Sequence, residues 1–280
     1  MSIRMSFKKI SKILLYAFFI TIALLWLLPI GSSILLSFKT INDYMNQTFW
    51  QLPTKFNFVA NIEYAWNSAN IGTFILNSIV YATVGAIVAI IIASLAAFSI
   101  VRLKLKGRNS LFGLIFIGTM FPFQMFLIPL YIMYLSTGLY NTKIGLILFY
   151  IAICIPFATF VFRGFFISVP KELHEAAKLD GCSDLGVYAK IFMPMSLPAI
   201  SVVFLFQFTW VWNDLLFGMT LSTSNSVRPV MVGLAQLSGE NLTNVPGLIA
   251  GAWIASLPTI IVFILLRRYF SQGLVLHVAG

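Results

Sequence analysis

Six apolar runs, each long enough to cross a bilayer, dominate this sequence: residues 13–38, 73–101, 111–135, 144–167, 198–221 and 248–266. A helix rises about 1.5 Å per residue, so about 20 mostly apolar residues span the hydrocarbon. Lipid cannot satisfy bare backbone groups, so these runs must be helices. The expected fold is therefore all-α, a polytopic membrane protein with six transmembrane helices. The first run is too long for a signal-peptide core and lacks a convincing cleavage site, so it reads as a retained helix. A mean hydropathy of +0.95 agrees, because one soluble core needs far less apolar surface.

Pro29, Pro122, Pro129, Pro156 and Pro258 lie inside these runs. Membrane bundles tolerate such prolines, because neighbouring helices or water satisfy the freed carbonyls. Ala93, Ala96, Ala97, Gly247 and Gly251 suit close helix packing. Cys154 and Cys182 read as two free thiols.

The net charge of +10 does not point to nucleic acid, because the basic residues sit between apolar runs and not on one soluble face. Of 18 basic residues, only Lys39, Lys55, Lys143 and Arg228 fall in one alternate set of connections. The rest flank the other set, which the positive-inside rule assigns to the cytosol. Both termini are then cytosolic. Residues 1–12 form an N-terminal tail, 13–266 the membrane domain and 267–280 a C-terminal tail. The segments 39–72 and 222–246 become long external connections.

One internal loop, residues 168–197, is charged and helix-forming. Pro170 can open a helix. Glu172 and Glu175 favour its positive end. Leu173, Ala176, Ala177 and Asp180 recur at helical spacing. Gly181 suits a left-handed stop. Ser183 can cap a second short helix, which Pro194 should end.

Glu175-Ala176-Ala177, Gly181, Ile191 and Pro194 resemble the EAA signature of permease subunits of binding-protein-dependent ABC importers. Met193 stands where that pattern has Leu, a near-isosteric change. Three further stretches, Met120–Tyr131, Trp210–Phe217 and Leu266–Leu274, resemble carbohydrate-uptake permeases of the maltose and multiple-sugar type. The closing His277–Gly280 departs from their usual glycine- and lysine-containing tail. The resemblance implies that Glu175, Ala176, Ala177, Gly181, Ile191 and Pro194 couple to cytosolic ATPase subunits, two copies of them. It also implies a second permease subunit and an extracytoplasmic solute-binding protein that delivers a carbohydrate.

The sequence contains no G-x-x-x-x-G-K-[ST] phosphate loop, so ATP hydrolysis belongs on a partner and this chain is not itself an enzyme. His174 and His277 lie far apart, and neither a metal site nor a cofactor is expected. The polar candidates for the solute path are Gln124, Gln207, Asn213 and Asp214, although Asp214 suits a structural role equally well, as a cap or paired with Asn213 or a neighbouring helix. Trp210 and Trp212 offer flat faces for a sugar ring, but suit interfacial anchoring better. A non-sugar solute such as glycerol phosphate is the nearest alternative. An ion-coupled transporter would need several intramembrane ionisable groups, and only Asp214 is a candidate. A non-transporting scaffold would leave the loop signature without a purpose.

Overall fold

The computed structural model describes residues 2–68, 70–240 and 244–275. Among them every regular element is helical: α1 (Ser2–Ser37), α2 (Ile41–Asn46), α3 (Phe58–Ser68), α4 (Ile71–Arg102), α5 (Arg108–Ile117), α6 (Leu127–Thr137), α7 (Lys143–Ser168), α8 (Lys171–Leu179), α9 (Asp184–Met195), α10 (Leu197–Trp212), α11 (Leu216–Leu221), α12 (Val230–Glu240) and α13 (Val245–Val275). Residues His277–Gly280 and Asn241 lie outside the described residues.

Ser11–Ser37, Ile71–Arg102, Lys143–Ser168 and Val245–Tyr269 are each long and apolar enough to cross a membrane. They coincide with four of the six expected runs. Helices α9 and α10 pass the same test together, but bend by 74° at their junction. The run 111–135 is not one helix. After α5 the chain turns, makes a 3-10 turn at Phe123–Phe126 and only then enters α6. Two local causes are visible. Thr119 turns its hydroxyl back onto the Phe116 carbonyl, and Pro122 has no N–H to continue the ladder. The run 198–221 is also interrupted, between Trp212 and Leu216.

The described chain divides into two compact units. The first takes residues 1–69 and 236–254. In its α1, the stretch 13–31 is apolar all round and exposed throughout, as a lipid-facing helix is, whereas Ser32, Leu36 and Ser37 at the helix end are buried. Beyond it, Thr40 and Asp43 form a capping box that starts α2. Asn61 ties α3 to the end of α1 by donating to the Ser37 and Lys39 carbonyls, both at 2.9 Å. Gly247 permits close approach: a Cβ there would lie 2.5 Å from Cδ1 of Tyr64.

The second unit, residues 70–235 and 255–280, is built on the packing of α4 against α7, with α10 alongside. Ala82, Ala86, Ala89, Ala93 and Ala97 are all fully buried and recur every three or four residues. This small-residue stripe lets the backbones approach, as lipid-embedded interfaces require. Gly85 continues it, because a Cβ there would sit 3.2 Å from the Tyr150 Cβ. At one end of α4 and α7, a cluster including Phe98, Phe162, Phe166, Val187, Tyr188 and Phe192 binds α8 and α9 to the bundle.

Candidate functional site

Two places in the second unit concentrate the sequence candidates. The first is the loop of α8 and α9. Pro170 occupies the N-cap of α8, and Glu172 lies in its first turn. The helix ends in a full Schellman motif. Gly181 N–H donates to Lys178 O at 3.1 Å, and Cys182 N–H to Ala177 O at 3.0 Å. Gly181 has φ +80° and no atom within 4 Å of where a Cβ would stand, so conformation alone demands glycine. Ser183 then caps α9 by accepting from Gly186 N–H at 3.1 Å. Lys178 and Asp184 pair across the bend at 3.1 Å.

Pro194 does not end the second helix. A π-turn over Tyr188–Phe192 precedes it, and Met193 N–H reaches Tyr188 O five residues back. The wider turn accommodates a residue without an N–H. The stop comes at Ser196, before α10.

The signature residues divide by direction. Ala177 is 7 % exposed and packs inward with Val187, Tyr188 and Phe192. Ile191 packs partly against the same cluster. Glu175, Ala176, Gly181 and Pro194 are exposed. Leu179 is 90 % and Leu185 66 % exposed, two apolar side chains that sequence reasoning did not select. Anchorage is strong. Ser94 and Tyr188 share a hydrogen bond of 2.8 Å between their hydroxyls. Arg102 donates to the Phe166 and Val169 carbonyls and lies over the Phe192 ring. This loop is thus a firmly anchored knuckle whose outer surface carries both charged and apolar side chains.

The second place is a cleft between the interrupted segment 118–126 and α10. Phe123, Gln124, Thr209, Trp210 and Asn213 are among the residues around a cavity of about 550 Å³. A neighbouring cavity of about 270 Å³ shares Phe123, Phe206 and Trp210 and adds Gln207. Phe123 meets Trp210 edge-on at 5.4 Å. Of the sequence candidates, Gln124, Asn213 and Asp214 therefore come together. Gln207 borders the smaller cavity, its amide donating to Cys154 O at 3.1 Å. Trp212 points elsewhere: it is buried, stacks on Phe208 and donates to Ala255 O at 3.1 Å. Trp210 is the indole that lines both cavities. Phe123, Phe206 and Thr209 were missed, because apolar residues and a lone threonine carry no distinguishing mark in a membrane sequence.

At the end of the unit away from the knuckle, residues 221–230 are pinned. Asn141 accepts from Thr223 N–H at 2.8 Å and Ser224 N–H at 2.9 Å. Asn77 donates to Ser226 O and Arg228 O, and Tyr81 to Val227 O. The composition of 222–246 suits an open loop, yet α12 occupies 230–240 and buries Val230, Val232, Leu234 and Leu237.

The profile of one protein family, described as the inner membrane component of binding-protein-dependent transport systems, matches residues 89–275, which hold both the knuckle and the cleft. The chain belongs to that family. Among its relatives is the probable ABC transporter permease protein YurM of Bacillus subtilis, 34 % identical over 93 % of this chain and 84 % of YurM. The melibiose/raffinose/stachyose import permease protein MelC of the same organism is 31 % identical, over 85 % of this chain and 86 % of MelC. Among solved structures, a bacterial ABC transporter involved in import of the acidic polysaccharide alginate superposes with a TM-score of 0.78. That match covers 94 % of this permease and 97 % of the other chain, at 24 % identity. The permease is thus a multi-pass inner-membrane protein, and its relatives are transport subunits, not enzymes.

Proposed function

We propose that this chain is one of two permease subunits of an ATP-driven sugar importer, with the aromatic and amide cleft as part of the solute path. The observation that carries the reading is the knuckle: a rigidly anchored, two-helix bend that presents apolar and charged side chains outward. Leu179, 90 % exposed beside the bend, offers apolar surface for a partner to cover. It suits a cytosolic ATPase subunit that grips the loop. Family membership supports a solute-binding protein as donor, and the named sugars of MelC support the solute class.

In this reading the termini and the knuckle are cytosolic, and the interrupted segment 111–135 crosses as a broken span, which brings the spans to six. Two ATPase subunits hold the two permeases by their knuckles. ATP-driven closure moves each knuckle as a rigid body, and α9 passes that motion through its bend into α10, one wall of the cleft. Trp210 offers its ring face to the apolar face of a sugar. Gln124, Thr209 and Asn213 offer hydrogen bonds to its hydroxyls. Polar groups exposed at membrane depth require a water-filled path or a protein neighbour, which a second permease would complete.

The test is reconstitution of the chain with its neighbouring permease, ATPase and binding protein in vesicles. Uptake of a labelled oligosaccharide that stops when hydrolysis is blocked is the expected result. Uptake that persists without ATP, or hydrolysis that ignores the loaded binding protein, would overturn the proposal.

A further inference from the structure

The fifth apolar run breaks at Asn213–Leu215 without glycine or proline. Something must hold a helix open there, because Trp-Val-Trp-Asn-Asp-Leu-Leu-Phe would otherwise continue. The structure supplies two opposed caps. Asn213 donates to Thr209 O at 2.8 Å, closing the end of α10. Asp214 turns the other way and accepts from Phe217 N–H at 3.3 Å and Gly218 N–H at 2.9 Å, which opens α11. Its second partner is remote in sequence: Tyr150, fully buried on α7, donates its hydroxyl to Asp214 at 2.8 Å. Both carboxyl oxygens are therefore engaged, and Asp214 is only 8 % exposed although it borders the cleft.

We infer that Asp214 and Tyr150 are a positioning pair: they keep the fifth span broken and so aim Trp210, Asn213 and Leu216 into the cleft, while Asp214 itself does not bind solute. This rests on the cleft being the solute path. The chemistry separates it from direct binding. An asparagine at 214 can set its amide oxygen where the Tyr150 hydroxyl and Gly218 N–H meet and accept from both, giving up only the longer contact from Phe217 N–H. A leucine, which keeps the branching but has no acceptor and is larger, can accept from neither, and leaves the buried amides unpaired.

The experiment uses the full importer in vesicles, with Leu216→Cys as reporter in a Cys154→Ala, Cys182→Ser background. The labelling rate of that cysteine by a membrane-impermeant maleimide is measured beside uptake, and membrane content is checked by blot. Asp214→Asn should keep both within about twofold of the parent, whereas Asp214→Leu should change labelling and lower uptake by about tenfold. If Asp214→Leu does not assemble, Tyr150→Phe decides, with an expected labelling change of about threefold. Unchanged labelling in Asp214→Leu, or in Tyr150→Phe where that variant decides, would overturn the inference. So would Asp214→Asn losing as much uptake as Asp214→Leu at parental labelling, since charge would then be what matters. Failure of the parent to import any sugar would remove the sugar reading, yet the labelling contrast would still decide the pair.

Discussion

At Gly181 one backbone angle carries the shape of the knuckle. A side chain there meets no neighbour, so Gly181→Val isolates the strain of a β-branched residue at φ +80°, about 1–2 kcal/mol. That is too little to disturb several membrane spans. It is enough to bend a short docking helix. The expected result is normal membrane content with binding-protein-stimulated ATP hydrolysis reduced severalfold. Glu175→Lys, which reverses an exposed charge on α8, should act in the same direction; full stimulation in both variants would make the knuckle mere surface. Gly181 was legible because a glycine between a helical repeat and a serine cap marks a left-handed stop. Tyr150 was not: it sits in an unremarkable apolar run, 64 residues from the carboxyl group it holds. Asp43 supplies a pH test. The Thr54 hydroxyl, then Thr40, hold its carboxyl below the ordinary carboxylate value. A lowered value means that the stabilisation is complete above about pH 4 and is lost as pH falls through the folded-state value. Hydrogen-exchange protection across residues 40–54, taken relative to the intrinsic rate at each pH, should therefore be high at neutral pH and fall in acid, and Asp43→Asn should remove that pH dependence.

Between elements, the contact of α4 with α7 sets how far the bundle tolerates change. Gly85→Val places new atoms against Tyr150, where the nearest neighbours include backbone that cannot move aside. Overpacking of this kind costs about 1–3 kcal/mol. Gly31→Val in α1 is the matched control, since nothing lies within 4 Å of it. Thermal unfolding of the purified complex should show a clear drop for the first and almost none for the second; equal drops would mean that helix propensity, not packing, governs both. Four spans were legible from length and hydropathy alone. The breaks at 118–126 and 213–215 were not, because hydropathy averages over a window and is blind to a carboxyl group caught by a distant hydroxyl. Pro194 misled for a related reason: a π-turn upstream shifts the ladder, with Met193 N–H bonding to Tyr188 O, so the helix continues past a residue that has no N–H.

For the whole molecule, sidedness is the quantity that everything else depends on. Cysteine labelling in intact cells should place position 181 inside and position 57 outside; the reverse would dismiss the knuckle as an ATPase grip. The pinned segment 221–230 presents Thr223, Asn225 and Ser226 at a fixed height on the opposite end. Preorganised surfaces lose less entropy on docking. A photo-cross-linker at Asn225 should capture the solute-binding protein, and one at Leu114, which faces away from the core, should not. Lack of capture at Asn225 during active transport would make the segment a structural clasp only. The knuckle half of the site was readable because its residues are contiguous. The cleft was readable only as a scatter of polar residues, since its walls, around Phe123 and Trp210, lie 87 residues apart in the chain.

Lys39 shows how the connection between α1 and α3 could report on its own integrity. Its side chain is 1 % exposed, with the ammonium donating to Thr48 O at 3.0 Å, whereas Lys55 in the same connection is exposed. An acylating reagent needs a free, uncharged amine that it can reach. In the folded protein it should mark Lys55 quickly and leave Lys39 intact, and the ratio of the two tags would then measure the unfolded fraction of this segment in any detergent or lipid.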